Sequence, residues 1–117
     1  MHPKTKAPDT TYTPNWLERM DSRTALAQQL RDRYARMTAD LGGEAHLSYM
    51  QRSLVTRALH LEYFLELEEL KLRETPDKFD SGRWTQANNA LGGLLNKLGL
   101  ERQSREVSLD AFVKARK

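Results

Sequence analysis

The chain contains no cysteine and no isoleucine, and only three valines and four prolines among its 117 residues. Each shortage excludes something. Without cysteine there is no disulfide framework, no thiolate zinc site and no cysteine nucleophile, and a reducing compartment is the simplest expectation. With so few β-branched apolar residues, strand material is scarce. No run approaches the roughly 18 apolar residues that a membrane span needs. The opening "MHPKTKAPDTTYTP" lacks the apolar stretch of a signal peptide. The expectation is a soluble, cytoplasmic protein of one domain's length.

What is present suits helices with wet faces, with 30% of the residues charged and 38% apolar. Net charge is +3, and the excess lies at the two ends. A charge of this size does not by itself indicate nucleic-acid binding.

Residues 1–13, with Pro3, Pro8 and four threonines, have almost nothing to bury and read as a disordered arm. Thr13 and Pro14 have the chemistry of an N-cap and a first helical residue. From Trp16 an apolar stripe recurs at helical spacing through Met20, Ala27, Leu30, Tyr34, Met37 and Leu41. Asp21 and Ser22 leave open whether this is one helix or two. Gly42 or Gly43 ends it in a left-handed conformation.

Ser48 and Gln51 have capping-box spacing and open a second long helix that runs to Glu74. Its apolar residues, including Met50, Leu54, Val55, Leu59 and Phe64, spread over more than one face. Such a helix is covered on more than one side, and a second copy of the protein is a natural extra cover. After a loop, "TPDKFDSGR", Asp80 or Ser81 caps a third helix with Leu91, Leu94, Leu95 and Leu98 on its stripe. Gly92 and Gly93 fall inside it, at about 1 kcal/mol each relative to alanine. Close approach of a neighbouring helix, within or between chains, would offset that. Gly99 stops the helix. Ser108 then caps a short terminal helix presenting Leu109, Phe112 and Val113, which is ordered only when docked.

Catalytic constellations are missing. The three histidines lack metal-ligand spacing, "DKFDSG" has Phe79 where a calcium loop needs a ligand, "ALGGLL" is no phosphate loop, and no nucleophile motif is present. Glu62, Glu66 and Glu69 read as a solvated helix face, with Glu69 and Arg73 as an i,i+4 pair. Neither enzyme activity nor a cofactor is expected. The cations available to DNA are Lys4 and Lys6 on the arm, Arg31, Arg33 and Arg36 on the first helix, and Arg102 and Arg105 near the end, and each acidic neighbour weakens the case for direct binding.

The stretch from "LGGEAHLSYMQRSLVTRALHLEYFLELEELKL" through "GRWTQANNALGGLLNKLGLERQSREVSLDAFVKARK" resembles short all-helical proteins of tailed phages and prophages, several of them similar to the small terminase subunit. The likeness spans about residues 41–117. It implies that Gln51, Arg52, Leu54, Val55, Arg57 and Ala58 lie on the long helix of an oligomerising hairpin, with Asn89, Leu91, Leu94, Leu95, Leu98, Gly99 and Leu100 on its returning arm. It also implies a homo-oligomeric ring that presents double-stranded DNA to the large terminase ATPase, with Leu109, Phe112 and Val113 as the ATPase contact. The family's N-terminal helix-turn-helix is not legible here, so nonspecific DNA contacts are what the resemblance leaves.

The expected architecture is all-α: a flexible arm over 1–13, a helical oligomerisation domain over 14–100, and a basic link with a docking helix over 101–117. Self-association is assigned to Met50, Leu54, Val55, Leu59, Phe64, Gly92 and Gly93. The alternative function is a small helical phage interaction or regulatory protein that binds a foreign partner.

Overall fold

The computed structural model describes residues 4–99. They form an all-α fold of three helices, α1 (Ala25–Asp40), α2 (Tyr49–Glu74) and α3 (Ser81–Lys97), joined by short 3-10 turns at Glu44–His46 and Pro76–Lys78. α2 is the middle element, packing against α1 on one side and more extensively against α3 on another. No helix among the described residues is long and apolar enough to cross a membrane.

Local chemistry sets the boundaries. The Ser48 hydroxyl accepts from the Gln51 amide at 3.1 Å while the Gln51 side chain accepts from the Ser48 amide at 2.8 Å, so two otherwise orphaned donors at the start of α2 are satisfied reciprocally. The Asp80 carboxylate accepts from the Arg83 amide and caps α3. α1 ends in a double-bonded turn: Gly43 donates to the Thr38 carbonyl and Gly42 to that of Ala39, with φ of 103° and 101° respectively, a backbone state that a side chain would strain.

The first helix begins later than its apolar pattern predicts. Residues 14–19 make turns, Asn15 has φ 63°, and the cap is Thr24, whose hydroxyl accepts from the Ala27 amide. Asp21 divides the segment. Its carbonyl accepts from both the amide and the hydroxyl of Thr24, and Arg31 donates to the carbonyls of Leu17 and Met20. The irregular stretch is thus hydrogen-bonded without being helical. Its apolar residues still reach the core: Trp16, Leu17, Met20, Ala27, Leu30 and Leu59 form one buried cluster. A second, Leu47, Val55 and Leu98, joins the start of α2 to the end of α3.

From Lys4 onward the arm is laid along the protein. Thr5 donates to the Arg19 carbonyl at 2.9 Å and accepts from the Asp21 amide at 2.6 Å. The Asp9 carbonyl accepts from His60 Nε2 at 2.9 Å, and Tyr12 packs on the first cluster. Tyr12 supplies the apolar area that the composition of this segment conceals.

Candidate interaction site

Among the described residues no group of three or more histidine and acidic side chains could hold a metal ion. His60 is a buried structural residue. Its imidazole lies edge-on to Tyr12 and Trp16 at 5.5 and 5.4 Å, and its Nε2 hydrogen ties the arm to α2. The acidic face of α2 is bound in place as well. Glu66 meets Arg33 at 2.6 Å with Glu62 at 3.5 Å, and hydrogen bonding to Glu66 holds the guanidinium pKa above its ordinary value. Glu69 accepts from the Trp84 indole at 3.1 Å, where an i,i+4 pair with Arg73 was the expectation.

These contacts change the standing of the cations expected to face DNA. Arg31 is occupied by two backbone carbonyls and Arg33 by two carboxylates. Arg36 remains solvated, beside Asp32 at 3.0 Å. Lys4 and Lys6 are exposed. Arg102 and Arg105 lie outside the described residues, as do the expected partner contacts Leu109, Phe112 and Val113.

The self-association residues divide in the same way. Met50 is 75% exposed, beside Tyr49 at 77%, and is free to meet a second surface. Val55 and Leu59 are fully buried within the chain and belong to the monomer core, which corrects their assignment to an interface. Their faces of α2 are covered by α3 and by α1 with the arm. Leu54 packs on the second cluster, and Phe64 lies 5.2 Å beneath the Arg83 guanidinium. Gly92 and Gly93 are exposed, and a Cβ built on either meets no atom within 4 Å apart from the helix's own backbone. Of the two alternatives left open for these glycines, close packing within the chain therefore finds no neighbour among the described residues.

Two concavities flank the arm. One, about 290 Å3, has tyrosine and arginine walls from Tyr12, Tyr34, Tyr49, Arg52 and Arg57, with Glu44 at its edge. Arg57 stacks over the Tyr12 ring at 4.3 Å. Desolvation, followed by the nearby Glu44 carboxylate, raises the Tyr34 pKa above its ordinary value. The other is a groove of about 480 Å3 between α2 and α3, with His60 and Leu61 on one wall and Ala90, Gly93, Leu94 and Lys97 on the other.

Sequence reasoning missed the role of Tyr12. It also missed Glu68, whose side chain is 1% exposed and lies 3.1 Å from Lys71 Nζ, with neither oxygen in a directed hydrogen bond among the described residues. The pattern offered one signal for Glu68: it stands three residues after the buried Leu65, on the side of α2 that the helix period turns inward.

No known protein family matches this sequence, and no curated protein or solved structure shows significant similarity to it.

Proposed function

We propose that this chain is a non-catalytic assembly protein of the small-terminase kind, which self-associates into a ring, contacts double-stranded DNA without sequence preference and engages a large terminase ATPase. The observation that carries the reading is the glycine pair in α3. Two glycines inside a helix each cost about 1 kcal/mol relative to alanine, and among the described residues no atom outside their own helix comes within 4 Å of a Cβ placed on either. Contact with another copy supplies the missing reason, and the exposed Met50 stands at the same end of the α2–α3 hairpin, where Leu98 meets Val55. On this reading DNA is met by Lys4, Lys6 and Arg36, together with Arg102 and Arg105, while Arg31 and Arg33 serve the fold.

A second reading, a small helical protein that binds a foreign partner, is favoured by the burial of Val55 and Leu59, because α2 needs no second copy to cover it. Solution mass separates the two. Light scattering coupled to size exclusion, at low and moderate salt and without DNA, gives a discrete assembly of about eight or more copies for a ring. A monomer or dimer at micromolar concentration overturns the ring and leaves the foreign-partner reading.

A further inference from the structure

We propose that the concavity walled by tyrosine and arginine is a binding site for a nucleobase with its phosphate, the unit that single-stranded nucleic acid and free nucleotides share. The site is distinct from Lys4, Lys6 and Arg36, the cations assigned to double-stranded DNA, and it does not depend on assembly into a ring. Met50 and the α3 glycines stay available to another copy, because Tyr49 and Met50 stand about 100° apart around α2.

One stripe of α2 supplies a wall of the cavity. Tyr49, Arg52, Ser53, Thr56 and Arg57 recur at i, i+3, i+4, i+7 and i+8, and all of them line this space of about 290 Å3, as residues on one helix face do. Where α2 turns to the protein elsewhere, at Val55, Ala58 and Leu59, it is apolar and fully buried. Here it brings aromatic, hydroxyl and cationic groups to a concave surface instead, and Tyr12 and Tyr34 face them from the arm and α1. The volume lies at the small end of ligand sites, roughly 300–1,000 Å3, which suits a single nucleotide unit.

Each part of that unit has a counterpart. Tyr49 leaves 77% of its surface to solvent, and an exposed ring of this kind is a platform on which any base can stack. Arg52 and Arg57 make no ion pair among the described residues, although Glu18 and Glu44 line the same cavity. Arg57 is held over the Tyr12 ring at 4.3 Å, an attraction through the ring face that leaves guanidinium N–H donors for a phosphate. The Tyr34 pKa, raised by desolvation and then by Glu44, is pulled back by the Arg52 charge, so this cation and the Tyr34 hydroxyl share one space. The same hydroxyl donates to Glu44 Oε1 at 3.4 Å, which leaves Oε2 to accept from an amino group on a base edge. Carboxylates accept from the N4 amino group of cytosine, whereas thymine presents a carbonyl oxygen at that position.

Fluorescence anisotropy of the full chain with labelled oligo-dC and oligo-dT, single strands of about eight nucleotides, tests the site at neutral pH. Saturable binding of oligo-dC is expected, weakened about fivefold or more by Tyr49→Ala and restored by Tyr49→Phe. Arg52→Gln should lower the slope of log affinity against log salt by about 0.7, the share of one phosphate on a single strand. Oligo-dC should bind roughly fivefold more tightly than oligo-dT, with the preference lost in Glu44→Gln. Tyr49, Arg52 and Glu44 are exposed, so these variants are expected to melt with the wild type, which circular dichroism checks. Competition separates the two sources: dCMP displacing oligo-dC at comparable affinity assigns the free nucleotide, and a strand held about tenfold tighter than dCMP assigns nucleic acid. No binding, equal affinity for the two strands, displacement by duplex DNA as effective as by single strand, or an affinity unmoved by both Tyr49→Ala and Arg52→Gln overturns the site.

Discussion

Asp21 combines four contacts that no sequence pattern announces. Its carbonyl holds Thr24, its amide donates to Thr5, and its carboxylate receives the amide and the guanidinium of Arg23. The Arg23 side chain, more than its amide, draws the Asp21 pKa from 3.8 down to about 2. A depressed carboxylate stabilises the fold above its unfolded-state pKa and loses that contribution as the pH falls towards the folded value. Asp21→Asn should therefore melt below the wild type at neutral pH, and the two melting curves should converge as the pH falls from about 4 to about 2. Thermal melts of both proteins over that range check the sign. The glycines invite a complementary test. Gly92→Ala adds helix propensity where no atom obstructs the new methyl, so urea unfolding should show a gain of about 1 kcal/mol. No gain would mean that the helix at residue 92 is already constrained by something a bare chain does not display.

At the scale of elements, the sequence is most readable where a boundary is made by neighbours in the chain. Ser48 with Gln51, Asp80 before α3, and the Gly42–Gly43 stop all depend on contacts three to five residues apart. Removing one should have a local effect: Ser48→Ala is expected to lower stability by about 1 kcal/mol, measured by denaturant titration, with α3 amides unaffected in exchange. Legibility fails where distant residues decide. The stripe through Met20, Ala27 and Leu30 correctly marks core positions, yet the helix starts only at Ala25, because Arg31 satisfies carbonyls that a continuous helix would have bonded itself. The arm is held through Asp9 and His60, 51 residues apart, a separation across which periodicity carries no information. The same reason accounts for the candidate cations. Arg31 and Arg33 look like surface charges in a list of residues, and only tertiary contacts reveal carbonyls on one and carboxylates on the other.

For the whole molecule, the central position of α2 implies two seams of different character. The arm, α1 and α2 share the larger cluster around Trp16 and Leu59, whereas the buried apolar residues that α3 and its C-cap bring to α2 are Ala87 and Leu98, each still slightly exposed. Local opening free energies follow buried apolar contact. Native-state hydrogen exchange at low denaturant should therefore place α3 amides on a lower-energy opening than those of α2 around Leu59. Equal protection in both would mean a single cooperative unit. α3 also carries the groove and the exposed glycines, so the element proposed to meet other surfaces is the one expected to open first.

The closure of the arm onto His60 sets a condition on biosynthesis. A chain made from its N-terminus has Trp16, Leu17 and Met20 in place early, but the core that buries them includes Leu59, and the carbonyl of Asp9 finds its donor only at residue 60. The first third of the protein thus waits, with its tryptophan uncovered, until about half the chain has emerged. During that interval it is apolar surface without a lid, available to whatever binds nascent chains.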